Sequence, residues 1–314
     1  MKVLRDTSAI RGILLSILWG LLALCGNSSA VAQEMEPRRW SHLPIDHNFI
    51  AAGYAHTDAT IPFDPVLRIE NGVAEMDTWL VGYIRTFEVL DKSARIEIRE
   101  PWQSGRWTGV LNGTPTTVER EGWGDTIARF AINLLGAPPL DGKAFAEYRA
   151  AAEVETTVGA ALMVQLPTGE YMKDKLINLG TNRFSFRPQL GAVRKWHAWS
   201  FELTGAVSFF TDNDSFFNGN KLTQDPFYTL DSHLVYTFRS GFWTAFSAGA
   251  GFGGQTAING IAKDDEKEDV SWAVSAGLPI TNWLGIKAAY IDSRRRTRVG
   301  NDSETFAVGL TASW

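Results

Sequence analysis

Residues 94–99 read Ala-Arg-Ile-Glu-Ile-Arg, which puts Arg95, Glu97 and Arg99 on one face of an extended chain and Ala94, Ile96 and Ile98 on the other. A period of two marks a β-strand whose faces meet different surroundings. Residues 152–166 alternate likewise, with Val154, Thr156, Val158, Ala160, Leu162, Val164 and Leu166 opposite Glu153, Glu155, Thr157 and Gly159. In 197–210, Trp199, Phe201, Leu203, Val207 and Phe209 oppose Ser200, Glu202, Thr204 and Ser208; in 227–238, Tyr228, Leu230, Leu234, Tyr236 and Phe238 oppose Thr229, Asp231, His233 and Thr237. Twelve such strands are expected, at 47–58, 75–90, 94–107, 123–135, 152–166, 183–194, 197–210, 227–238, 241–255, 270–280, 284–293 and 304–314.

Soluble sandwiches also alternate, so the connections decide. Those after the odd strands are long and mostly polar (59–74, 108–122, 167–182, 211–226, 256–269, 294–303), whereas those after strands 2, 6, 8 and 10 are tight turns. This asymmetry is that of an outer-membrane barrel with its N-terminus in the periplasm. Segment 136–151 is the exception, a long connection on the short-turn side. The expected fold is an all-β, antiparallel transmembrane β-barrel of twelve strands, outer-membrane type.

Residues 1–32 read as a signal peptide, with Lys2, Arg5 and Arg11 before an apolar run from Ile13 to Cys25 and Ala30-Val31-Ala32 as the cleavage signal. The expected parts are therefore a leader removed after Ala32, a periplasmic N-terminal segment over 33–46 and the barrel over 47–314. Cys25, the only cysteine, leaves with the leader, so disulfides and thiolate chemistry are excluded from the mature chain. Removing Lys2, Arg5, Arg11 and Asp6 leaves 27 basic and 34 acidic residues, a net of −7 that disfavours a nucleic-acid partner. The 12 Trp and 18 Phe suit a membrane barrel. Trp107 and Trp123 fall at long-loop ends of strands and Trp196, Trp283 and Trp314 at short-turn ends, as two aromatic girdles require. The last strand presents Phe306, Val308 and Leu310 and ends on Trp314, a form suited to the barrel assembly machinery, although Ala312 is small for its place.

WGDTIARFAINLLGAPPL (123–140), LPTGEY (166–171), INLGTNRFSFRP (177–188), FFTDND (209–214), QDPFY (224–228) and GGQTAING (253–260) together resemble the outer-membrane transporter family named for the MetA (meta-cleavage) pathway of phenol degradation. Phe184 and Pro139 depart from the expected Trp and Ala. The resemblance implies an outer-membrane barrel that moves small organic, often aromatic, solutes. It carries over no functional residues.

Outward apolar faces leave the charged faces for the lumen. The expected lumen set is Arg95, Glu97, Arg99, Arg129, Glu153, Glu155, Arg183, Arg187, Glu202, Asp231, His233 and Lys287. Charges of both signs in a narrow interior either pair as a structural lattice or line a permeation path. Segment 59–74, with Pro62, Phe63, Val66, Leu67 and Ile69, is apolar enough to fold inward as a plug or to cover the rim. The charged runs 263–269 and Arg294, Arg295, Arg296 and Arg298 read as solvated loop tips, the arginines with an option on lipopolysaccharide beside outer-membrane lipid. Asp212, Asn213 and Asp214 lack the rest of a calcium loop. Gly249, Gly251 and Gly254 match a dinucleotide fingerprint but lie inside a strand. No cofactor is expected. A structural barrel with a closed lumen stands as the alternative, and less so a lipid hydrolase with Ser and His side by side on the outer face. Charge reversal at Arg183 and Arg187 is expected to change ion selectivity in bilayer recordings if both line the path.

Overall fold

The computed structural model describes residues 35–239 and 241–314, so the expected leader lies outside the described residues. The strands are β1 (Asn48–Asp64), β2 (Ile69–Val89), β3 (Lys92–Leu111), β4 (Thr114–Trp123), β5 (Ile127–Leu135), β6 (Val154–Gln165), β7 (Ser185–Trp196), β8 (Trp199–Phe210), β9 (Asn213–Phe216), β10 (Asn220–Gln224), β11 (Phe227–Thr237), β12 (Trp243–Gly253), β13 (Thr256–Ile258), β14 (Ile261–Ala262), β15 (Lys267–Pro279), β16 (Leu284–Arg295) and β17 (Gly300–Ser313). One helix, α1 (Gly142–Ala151), fills the long connection between β5 and β6.

Twelve of these strands close a barrel in the order β2-β1-β17-β16-β15-β12-β11-β8-β7-β6-β5-β3, with β3 returning to β2. At the closing seam β1 pairs antiparallel with β17, and Asn48 and Trp314 exchange backbone hydrogen bonds of 3.0 and 3.1 Å. Hydrocarbon supplies no partner for backbone N–H and C=O, and a closed ladder satisfies them all.

The alternation sorts as the sequence suggests. Ile96 and Ile98 are 41% and 46% exposed on the outer wall, while Arg95, Glu97 and Arg99 are buried inside. Leu230, Leu234, Phe201, Leu203 and Phe246 likewise face outward. Register sets Tyr54, Trp79, Trp102 and Trp123 side by side across β1 to β4, an aromatic row toward the loop end. Trp199, Tyr236 and Phe238 form edge contacts near the turn end, where Trp283 and Trp314 are exposed. Trp107 departs from its expected place in a girdle: it is 2% exposed and points inward.

Two expected loops are strands. β1 and β2 run on through 59–74 and turn only at 65–68, and β3 and β4 replace the loop 108–122 by a hairpin turning at Asn112 and Gly113, with φ of 49° and 79°. Asn-Gly supplies the two positive φ values that a tight hairpin needs. A membrane strand needs about 9–11 residues, so β2 and β3, at 21 and 20 residues, stand well above the aromatic row. The tip of the first hairpin bends onto the other loops. Val66 packs with Leu176, Phe216 and Leu222, beside a small sheet of β14, β13, β10 and β9, and together they roof the loop end.

Of the segment expected to extend into the periplasm, residues 35–43 instead turn inward. From Met35 to Leu43 the chain is almost entirely buried, with Trp40 at 2%, so the segment lies in the barrel. The segment adds Glu36, Arg38 and Arg39 to the charges of the lumen.

Leu230→Arg, on the lipid face, is expected to destabilise the barrel by roughly 2–4 kcal/mol near the bilayer midplane, read as a shifted urea midpoint for the protein folded in lipid vesicles.

Candidate functional site

The middle of the barrel is organised around one carboxylate. Glu97 accepts from Arg99 Nη2 at 2.9 Å and Arg129 Nη1 at 2.8 Å, forms an ion pair with Arg95 Nε at 2.9 Å, and lies 3.4 Å from Arg39 Nη2 of the inserted segment. Arg95 also donates to the Arg39 carbonyl, and Lys287 pairs with Glu36. Glu202, wholly buried, lies against the backbone of Arg38 and Trp40. Arg187 lies 3.8 Å from Asp231 and donates to Thr229 Oγ1 at 2.9 Å. His233 Nδ1 meets Ser247 Oγ at 2.7 Å, inside the barrel. Each of these buried charges has an opposite charge or a donor against it, as burial in low dielectric demands.

Trp40 is the anchor of the inserted segment. Its indole N–H donates to Thr204 Oγ1 at 2.8 Å, and the Arg129 guanidinium lies 5.1 Å from its ring. The space comes from Gly159 and Gly191, cross-strand partners on β6 and β7 whose missing Cβ atoms would fall 2.6 and 2.0 Å from the indole. Toward the turn end, His42 Nδ1 meets Glu155 at 3.0 Å and its ring edge packs on Phe145 of α1. A cavity of about 700 Å³ opens there, lined by Arg38, His42, Arg149, Glu155, Lys195 and His197.

The loop end holds a second cavity. Its frame is Asp125, buried at 3%, which accepts from Gly169 N and Thr181 N at 2.9 Å, Thr181 Oγ1 at 2.6 Å and Gln165 Nε2 at 2.8 Å. The backbone crosses itself there at Gly124, Gly169 and Gly180, where a Cβ on Gly169 would fall 2.6–2.8 Å from backbone atoms of the other two segments. Three motif segments, around WGDT, LPTGEY and INLGTNRF, thus meet at one carboxylate. Asn213, Gln224 and Thr256, from three further motifs, also line the cavity. Arg183 sits 4.6 Å from the Phe210 ring and donates to Gln224. Burial pulls the Arg183 guanidinium down to about 10, which leaves it cationic at neutral pH, and burial raises the Tyr171 hydroxyl.

The family model described as "Putative MetA-pathway of phenol degradation" matches residues 71–313. The chain belongs to this family. Among solved structures, an outer membrane channel from Pseudomonas putida F1 shares 19% identity over 90% of this chain and 100% of its own, with a TM-score of 0.73. The β-domain of a Bordetella autotransporter is similar at 10% identity, over 86% of this chain and all of that one, with a TM-score of 0.48. A comparison with curated proteins finds no match.

In this family member the expected lumen set divides into three. Arg95, Glu97, Arg99, Arg129, Arg187, Glu202, Asp231, His233 and Lys287 face the interior beside the inserted segment, and Glu155 and Arg183 serve the two cavities. Glu153 does not belong: it is exposed in the turn before β6, where the alternation ends. Glu36, Arg38, Arg39 and Trp40 were missed because a short charged stretch before the first strand looks like a tether. The readable signal was the pair of inward-facing glycines in β6 and β7, since Gly inside a strand marks a close approach. Run 263–269 is not wholly solvated, because Asp265 and Lys267 are buried at the cavity. At 212–214, Lys221 Nζ lies 2.6 Å from Asp212 and 3.3 Å from Asp214, so an ammonium takes the place a calcium ion would need.

Gly191→Val is expected to evict Trp40, a loss on the order of 3 kcal/mol for a buried Trp, and trypsin should then cut after Arg38 and Arg39, which the native protein shields.

Proposed function

We propose that the chain is a bacterial outer-membrane channel that admits small organic solutes passively through its barrel, with residues 35–43 narrowing the passage. The observation that supports this most is the pair of cavities, one at the loop end and one at the turn end, separated by the layer of Trp40, Glu97 and its arginines. Cations outnumber carboxylates in that layer, so the passage favours anions. The fold shared with the P. putida channel and the membership of a family named for phenol degradation agree with an organic, aromatic cargo. A leader removed after Ala32 and assembly through the strand ending in Trp314 fit delivery to the outer membrane. Arg296 and Arg298 stay exposed and, among the described residues, free of ion pairs, suited to lipopolysaccharide, whereas Arg294 pairs with Asp292 and Glu304 and Arg295 with Asp302.

The filled middle layer favours a second reading, a barrel closed to flow. A lipid hydrolase has less support. His56, on the outer wall, binds Asp77 at 2.8 Å and Asp58 at 3.5 Å, and among the described residues no serine bonds to it.

Planar-bilayer currents of the refolded mature protein separate the two readings. Small currents with chloride preferred over potassium are expected from the mature chain, with several-fold larger ones once residues 33–45 are deleted. Silence from both folded proteins would establish the closed barrel.

A further inference from the structure

We propose that the loop-end cavity is a binding site for a small amphipathic organic anion, a carboxylate carried on an apolar or aromatic body. This deepens the channel reading, and rests on it only in making the occupant a passenger.

The cationic donors carry the argument. Lys267 is 4% exposed and lines the cavity, yet among the described residues its ammonium forms no ion pair and no side-chain hydrogen bond. Arg183, on the same wall, spends Nη2 on Gln224, while its Nη1 is buried with no hydrogen-bond partner. A buried donor on a cation that lacks a hydrogen-bond acceptor is costly, so the donors that Lys267 and Arg183 leave unused beside one cavity favour an anion there.

The carboxylates on this wall are turned to other work. Asp64 Oδ1 accepts the backbone amides of Val66 and Leu67, both at 2.9 Å. Asp265 accepts Thr256 N through one oxygen and Thr256 Oγ1 through the other, each at 2.7 Å. These contacts shape the hairpin tip and the turn after β14 and keep the acids from pairing with Lys267. Asp64, Asp265 and Asp269 still lend it their field, which keeps a cation tolerable there.

The rest of the wall selects the body of the ligand. Trp107, Leu176, Ile177, Phe210, Phe216 and Leu222 face the cavity from five segments of chain. Phe210 already carries the Arg183 guanidinium against its ring. An apolar wall facing cationic donors, with polar side chains between, suits a ligand that carries both an apolar body and a charge. An inorganic anion would satisfy the cations and leave this apolar wall wet. A neutral aromatic would cover the wall and leave the cations unpaired.

Calorimetric titration of the refolded mature protein in detergent micelles, with benzoate, benzamide and acetate as probes, tests this. Benzoate is expected to bind about tenfold or more tightly than either of the others, since a hydrogen bond to a charged group is worth about 1.5–3 kcal/mol. Lys267→Met and Arg183→Met should each weaken benzoate about tenfold and remove its advantage over benzamide, while Lys267→Arg should keep it. Equal binding of benzamide would overturn the anion site, and equal binding of acetate would overturn the amphipathic ligand. Both comparisons use the native protein, so they stand even if a variant does not fold. Bilayer currents on the same preparation read the channel independently. Current without benzoate binding overturns this site alone, and binding without current keeps the site and overturns the passage.

Discussion

Hydrocarbon offers no hydrogen-bond partner to a peptide group, and that constraint shapes every level of this molecule. It forces the sheet to close, so β1 must find β17. Closure assigns one face of each strand to lipid and the other to a narrow interior. Nearly all polar chemistry between the membrane surfaces is thereby confined to one channel of space, where charges cannot be dispersed and must be matched.

The matching is centred on Glu97. Four arginines converge on it, three from β3 and β5 and one from the segment inserted between them and the opposite wall. A single carboxylate cannot neutralise four guanidinium groups, and Glu36, Glu202 and Asp231 share the load around it. Part of this solution is therefore supplied by residues that belong to no strand, Glu36 and Arg39. The inserted segment is held by charge along its length and by one aromatic side chain at its centre, so it is tightly seated without being part of the barrel wall. At the loop end the problem is solved differently: Asp125 collects backbone donors from two distant segments, and the cations nearby are left with capacity to spare.

Much of the barrel was legible because lipid imposes a simple rule that short stretches obey locally. Arg95, Glu97 and Arg99 sort from Ile96 and Ile98 by parity alone. Parity fails where the strand stops, which is why Glu153 was assigned to the lumen one residue too soon. Loop-like composition misled over 59–74 and 108–122, where strands leave the membrane and no longer need an apolar face; Asn112-Gly113 was the turn signal within the second. The inserted segment was opaque for another reason. Its contacts are long in sequence and made singly, Trp40 with Thr204 and Lys287 with Glu36, and no periodic pattern encodes such pairings. The cavity motifs were visible as a resemblance, but their convergence on Asp125 emerges only when the chain is folded.

The inserted segment is continuous with β1, and β1 is one side of the seam where first and last strands meet. The order of events during biogenesis is therefore constrained. While the seam is open, the segment can swing sideways into the half-formed cylinder and lay Trp40 against the glycines of β6 and β7. Once β17 has docked, the only entrance left is end-on, past α1 and the turn-end side chains. An interior that depends on residues 35–43 for charge balance is thus incomplete until the wall is nearly complete, which couples the last act of barrel formation to the correct threading of that segment.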